Sequence, residues 1–134
     1  MKALAFAAVV SLVAASCDDG TKPIDPVWGK QACASCAMLL SDPRFGAELT
    51  SEDGTRAFFD DPGCMATYVR ERGVQPKAMW VHTSSGWVSA RGARYAKGQA
   101  SPMDFGFAPD EHGDATWADV EASAAARSSK ETTR

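Results

Sequence analysis

The chain of 134 residues lacks the features that identify most common functional classes. It has 14 basic and 17 acidic side chains, a net charge of −3, and no basic run of the kind that binds nucleic acid. It contains no phosphate-binding glycine loop, no zinc-hydrolase motif and no recognisable nucleophile–base pair. These absences leave no support for nucleic-acid binding, and we expect the protein not to be an enzyme.

The sequence also lacks an apolar run long enough to cross a bilayer. Residues 3–15 are apolar apart from Ser11, which suits the hydrophobic region of a signal peptide and falls short of the roughly 20 residues of a membrane span. The run ends in small residues before Cys17, a pattern similar to the bacterial lipobox, whose cysteine is lipid-modified and becomes the mature N-terminus. Residues 1–16 are therefore predicted to be a lipoprotein signal peptide, with ordinary secretion as the alternative.

Asp18 directly follows the predicted lipidated cysteine. In lipoproteins of Gram-negative bacteria, aspartate at this position resembles an inner-membrane retention signal. We therefore expect a protein anchored by lipid on Cys17 to the periplasmic side of the inner membrane. Residues 17–29, with a glycine and two prolines before Trp28, are predicted to be a polar tether.

The four cysteines, at positions 17, 33, 36 and 64, suggest a metal site. An even number in an exported protein is typical of disulfides, but lipidation of Cys17 leaves three thiols, which cannot all pair within the chain. An unpaired thiol in an oxidising compartment needs a use or protection, and a metal ion provides both. The alternative is a structural disulfide, Cys33–Cys36 or Cys36–Cys64, with one buried free thiol.

Three sulfur side chains fall within the six residues Cys33-Ala-Ser-Cys36-Ala-Met38. An extended segment would place Cys36 and Met38 on the same face, whereas a turn would bring Cys33 and Cys36 together. Thiolate and thioether are soft donors that favour Cu(I).

Residues 30–126 are predicted to form a domain in which a β-hairpin is followed by a helix twice, over 44–72 and 78–126. The first helix should begin after Asp61, with Pro62 in its first position, and end at Gly73. Cys64 then lies in the first turn, where the helix dipole is expected to lower its pKa. Asp60 and Asp61 are interpreted as capping and solvated surface.

In the second half, alternation places Trp80 with His82 on one face of a strand and Met79 with Val81 on the other. Asp114 is predicted to cap the last helix, and residues 127–134 to be a disordered tail. The order of elements indicates an α+β fold.

Several motifs together resemble the NosL family of copper-binding lipoproteins, which are associated with assembly of nitrous oxide reductase. They occur in family order after the lipobox and cover residues 30–115: Cys36-Ala-Met38, Arg44-Phe45, Phe59-Asp-Asp-Pro-Gly-Cys-Met65 and Pro102-Met103. The resemblance implies two small ββαβ-like units. Ala37 and Asp104 stand where the family usually has glycine, and His82 stands on a strand that often carries aspartate.

The resemblance implies a Cu(I) site with Cys36, Met38 and Met103 as ligands, and Cys33 is a further ligand or a disulfide partner. Cys64, His82 and His112 remain open as alternative ligands. The implied function is a membrane-tethered Cu(I) metallochaperone that delivers copper to a periplasmic copper enzyme, nitrous oxide reductase in the family. The alternatives are a thiol–disulfide redox lipoprotein that uses Cys33 and Cys36, and a structural lipoprotein without metal.

Overall fold

A computed structural model describes residues 19–133. The signal peptide predicted at residues 1–16 and the lipidation predicted at Cys17 lie outside these residues. The described elements, in chain order, are a 3-10 turn Pro43–Phe45, β1 Ala47–Ser51, β2 Arg56–Phe59, α1 Pro62–Arg72, β3 Pro76–Thr83, β4 Gly86–Ser89, β5 Tyr95–Ala96, β6 Ala108–Pro109 and α2 Trp117–Thr132.

An antiparallel sheet with strand order β2-β1-β3-β4 and two packed helices confirm the predicted α+β class. In the register, Ala47 lies opposite both Phe59 and Val81, and Leu49 lies opposite Met79. These side chains share the face on which α1 packs, and all of them are buried. β1, β2, α1 and β3 form one ββαβ unit, and β4 extends the same sheet.

The opposite face of the sheet is covered by residues 19–28, the segment predicted to be a tether. The Trp80 indole donates a hydrogen bond to the Thr21 carbonyl at 2.8 Å. The Ile24 amide donates to the carboxylate of Glu48 at 2.9 Å. Glu48 is fully buried and forms an ion pair with Arg56. Contact with this segment explains why every residue of β1 is buried.

Helix α1 begins and ends where local signals predict. The Asp61 carboxylate accepts a hydrogen bond from the Gly63 amide at 2.8 Å, and Pro62 takes the first helical position. Gly73 ends the helix in a left-handed conformation, φ 61°, which a glycine adopts without steric cost. The capped N-terminus fixes the direction of the side chains in the first turn, including that of Cys64.

Two predictions about the C-terminal region are wrong. The residue directly before α2 is Thr116, and Asp114 does not cap the helix. The Thr116 amide and hydroxyl both donate to the Asp119 carboxylate and form a capping arrangement. The predicted disordered tail is helical through Thr132. Arg127 holds this last part in place by donating to the Met103 carbonyl at 2.5 Å and the Asp104 carbonyl at 2.9 Å.

Residues 91–99, which connect β4 to the loop before β6, contain a fully buried side chain, that of Tyr95. The Tyr95 hydroxyl donates to the Ala90 carbonyl at 2.7 Å, and its strand pairs with β6. Within residues 19–133, no helix has the length and apolar character that a membrane span requires.

Candidate functional site

The sulfur-rich loop folds as a turn held by its own backbone. The Cys33 amide donates to the Met38 carbonyl at 2.8 Å, and the Ala37 amide donates to the Cys33 carbonyl at 3.0 Å. Ala37 takes a left-handed conformation, φ 64°, which reverses the chain directly after Cys36. Of the two predicted arrangements, the turn is therefore the one observed, and it brings Cys33 and Cys36 together.

This loop is attached to the edge of the sheet at one point. The Ala34 amide donates to the Phe58 carbonyl on the edge strand β2 at 2.9 Å. Asp60 follows directly after that strand, and Cys64 lies in the first turn of α1. The attachment places the loop cysteines beside residues that are more than 20 positions later in the chain.

Four donor groups converge at this junction and could hold a metal ion. The Sγ atoms of Cys33, Cys36 and Cys64 and a carboxylate oxygen of Asp60 all lie within 4.8 Å of one another. The three cysteines are free thiols, so neither predicted disulfide is present. A tetrahedral ion with metal–sulfur distances of about 2.3 Å separates its sulfur ligands by about 3.8 Å, so the four groups need move only slightly to bind one.

The buried thiols of Cys33 and Cys64 are hydrogen-bonded to each other, and their pKa values are shifted in opposite directions. The hydrogen bond from Cys64 lowers the pKa of Cys33 to about 7 against the opposing effect of burial, and the amides of Cys36, Asp60 and Ser35 add to the lowering. The same hydrogen bond, together with burial, raises the pKa of Cys64 well above its ordinary range. The predicted lowering at Cys64 by the helix dipole is therefore wrong, because a neighbouring sulfur outweighs the dipole.

Cys36 is the only one of the four groups that is partly open to solvent. Its thiol lies 3.4 Å from both carboxylate oxygens of Asp60, to which it donates. Burial raises the pKa of Cys36 to about 12, and the nearby negative charges of Cys33 and Asp60 contribute to the shift. Metal entry to the cluster is thus most direct from the side of Cys36.

Asp60 belongs to the cluster, although its sequence position predicts capping or solvated surface. It is only 3% exposed. Within residues 19–133, no Lys, Arg or His nitrogen lies within 4.0 Å of its carboxylate. Its neighbour Asp61 performs the predicted capping role. The sequence signal that could have revealed Asp60 is its position directly between a buried strand end and a helix cap.

The two predicted methionine ligands lie at different depths. Met38 is 48% exposed, and Met103 is half-buried and packs against the core. The Met103 amide donates to Asp61 at 3.2 Å, so its loop contacts the start of α1. Neither methionine is needed to complete the group of four donors, and the role of both as ligands stays a prediction.

The two histidines are not among the four converging donors. His82 packs edge-on against Trp28 and Trp87, with ring centroids 5.7 and 5.1 Å away. His112 is exposed, and its amide donates to Asp110. His82 and His112 line a separate open cleft, to which Arg44 and Phe45 of the 3-10 turn also contribute.

Comparison with known proteins does not identify a family. No protein-family model matches the chain, and no curated protein or solved structure matches it either. What can be said of function therefore depends on the four-donor cluster and its surroundings.

Proposed function

We propose that this protein is a Cu(I)-binding metallochaperone of the NosL type. The convergence of three free thiols at a buried junction carries this proposal. Thiolates are the protein ligands that best suit Cu(I), and a partly exposed ligand permits exchange with an acceptor. In this proposal Cys33, Cys36 and Cys64 hold the ion.

The backbone gives independent support for the NosL resemblance. Among the non-glycine residues that the structure describes, only Ala37 and Asp104 have positive φ, at 64° and 55°. These are the two positions at which the family usually has glycine. Glycine readily adopts a left-handed backbone, and other residues rarely do. A left-handed backbone at both positions is therefore expected if this chain has the loops of the family with other residues in place of the glycines.

The proposed location is the periplasmic side of the inner membrane, with a lipid on Cys17. Tethering raises the concentration of a carrier near a membrane-associated acceptor. The proposed acceptor is a periplasmic copper enzyme, nitrous oxide reductase by the family resemblance. Copper passes to the acceptor by ligand exchange that begins at Cys36, the most accessible of the four donors.

Anaerobic titration with Cu(I) against a competing chelator tests this proposal. Reduced wild-type protein should bind one ion, and Cys36→Ser and Cys64→Ser should each lower the affinity by about 100-fold or more, beyond the 10–100-fold effect of residues around a site. Met38→Leu is the matched control for a non-cluster sulfur in the same loop. Wild-type affinity in Cys36→Ser would contradict the assignment, and a large loss in Met38→Leu would restore the methionine as a ligand.

The low pKa of Cys33 favours a second candidate, thiol–disulfide exchange through Cys33 and Cys36. Against it, Cys33 is only 3% exposed, whereas an attacking thiolate needs access to its target. Insulin reduction and the Cys33–Cys36 reduction potential distinguish the two functions. Catalysed reduction without Cu(I) binding would favour the redox function.

A further inference from the structure

The carboxylate of Asp60 is buried, and the described residues supply no ion-pair partner for it. It is only 3% exposed, and its described side-chain partner is the Cys36 thiol, at 3.4 Å from each oxygen. Burying a carboxylate without a cation is costly, and proteins generally pair such groups or use them to bind metal ions. An ion held by the cluster would give this carboxylate a cationic partner.

The fourth donor is the carboxylate of Asp60, and its chemistry indicates which kind of ion the cluster suits. Cu(I) is satisfied by two or three soft sulfur donors and has little affinity for a carboxylate. A divalent ion such as Zn²⁺ binds thiolate and carboxylate together in tetrahedral sites. It also leaves one fewer uncompensated negative charge in the buried cluster than a monovalent ion does.

The geometry already allows a tetrahedral arrangement. Zn–S distances of about 2.3 Å and Zn–O distances of about 2.0–2.2 Å place a sulfur and an oxygen ligand about 3.5 Å apart. The Cys36 sulfur and the Asp60 oxygens are 3.4 Å apart, and all four donors lie within 4.8 Å. Amide N–H groups that point at Cys33 are the kind of outer hydrogen bond that stabilises a metal-bound thiolate.

We propose that the cluster has a second mode, in which Asp60 joins Cys33, Cys36 and Cys64 to bind Zn²⁺ tetrahedrally. Asp60 then determines metal selectivity: it ligates the divalent ion and takes no part when the three sulfurs hold Cu(I). This inference rests on the proposed function, since both require the cluster to hold a metal ion. It assigns to Asp60 a role that sulfur chemistry alone does not predict.

The test compares Zn²⁺ and Cu(I) affinities of the full reduced chain in wild type and Asp60→Asn. Zn²⁺ affinity should fall by about 100-fold or more in the variant, since loss of a ligand exceeds the effect of an outer partner. Cu(I) affinity should be retained. Co²⁺, titrated as a visible probe, should show tetrahedral absorption in wild type with thiolate charge-transfer bands. In Asp60→Asn the visible bands should shift because the oxygen donor changes.

Asp61→Asn is the matched control, because this neighbouring buried carboxylate accepts hydrogen bonds from the amides of Gly63 and Met103. Asparagine is also a good helix cap whose Oδ1 can still accept from the Gly63 amide, while the Met103 amide loses its acceptor; the variant should therefore lose some stability, fold, and keep Zn²⁺ affinity. A second readout is the metal-free protein: thermal unfolding of Asp60→Asn checks that the variant folds like wild type, so that a loss of Zn²⁺ affinity reports the missing ligand.

Each outcome separates the two proposals. Cu(I) binding without Zn²⁺ binding would overturn the second mode and leave the proposed function intact. Zn²⁺ binding that depends on Asp60, without Cu(I) binding, would support the four-donor site and overturn the copper function. Equal losses of both metals in Asp60→Asn, or an equal loss of Zn²⁺ in Asp61→Asn, would overturn the selectivity role of Asp60.

Discussion

Replacing Ala37 by glycine should stabilise the protein. Ala37 lies in the sulfur-rich loop with φ 64°. A left-handed conformation costs an L-residue about 1–2 kcal/mol, whereas glycine adopts it freely. Glycine also makes the unfolded chain more flexible, which offsets about 0.5–1 kcal/mol of the gain. The expected net effect of Ala37→Gly is a stabilisation of about 0.5–1 kcal/mol.

Gly73 offers the reciprocal control. It has nearly the same φ, 61°, and a Cβ added there would meet no heavy atom within 4 Å. Gly73→Ala therefore introduces backbone strain without a clash, and it should destabilise by about 0.5–1 kcal/mol. The two substitutions should move the unfolding free energy by similar amounts in opposite directions.

Urea unfolding of the reduced, metal-free protein measures both changes, and thermal unfolding should show shifts of about 2–5 °C. Cu(I) affinity of Ala37→Gly should equal that of wild type, because the backbone conformation that positions Cys36 is preserved. If Ala37→Gly is neutral or destabilising while Gly73→Ala is destabilising as expected, the loop does not have the conformation described. If both are neutral, the cost of the left-handed backbone is overestimated here.

Three further predictions test other parts of the molecule. Arg56→Met leaves the buried Glu48 carboxylate without its cation and should cost about 3 kcal/mol in urea unfolding, whereas replacing both partners by apolar residues should cost much less. Metal binding near pH 7 should release at least about two protons, because the raised pKa values keep Cys36 and Cys64 protonated beforehand; weakly buffered titration measures the release. Burial raises the pKa of Tyr95, so the folded state favours its neutral form. The resulting stability is present below about pH 10 and is lost as the pH rises further. Tyr95→Phe should abolish this dependence of the unfolding free energy on pH.

Local sequence signals predicted the elements that depend on short-range physics. The start of α1 follows from a capping aspartate and a proline in adjacent positions, and its end follows from Gly73. Alternation along β3 correctly separated Met79 and Val81, which are buried, from Trp80 and His82, which are partly exposed. These features require only the residue and its near neighbours.

The errors fall where distant contacts override local character. The segment 19–28 has the composition of a tether, yet it lies on the sheet because Glu48, Arg56 and Trp80 bind its backbone. The end of α2 has the composition of a disordered tail, yet Arg127 binds the loop that carries Met103. Amino-acid composition indicates how a segment behaves in isolation. It does not indicate contacts with residues that are distant in the sequence.

The four-donor cluster was only partly predicted for the same reason. The spacing of Cys33 and Cys36 is a local pattern, so the turn that joins them could be anticipated as one of two arrangements. Asp60 and Cys64 enter the cluster only because the Ala34 amide attaches the loop to the edge of β2, a contact that no sequence pattern specifies.

Cys36, like Cys33, belongs both to the ligand set that the sequence predicts and to the group of donors that the structure brings together. The sequence pairs it with Met38, which is nearly half exposed, whereas the structure pairs it with three groups that are at most 3% exposed. The two sets therefore assign Cys36 different neighbouring donors, one exposed and three buried. In the proposed copper function, the buried donors would hold the ion firmly, and the exposed thioether of Met38, two residues after Cys36, would be a weak donor for an arriving or departing Cu(I) ion. If Met38 has this role, Met38→Leu should slow the transfer of copper to a chelator without changing equilibrium affinity, because it removes a donor used only in passage. A matching loss of affinity and rate would instead place Met38 among the ligands that hold the ion.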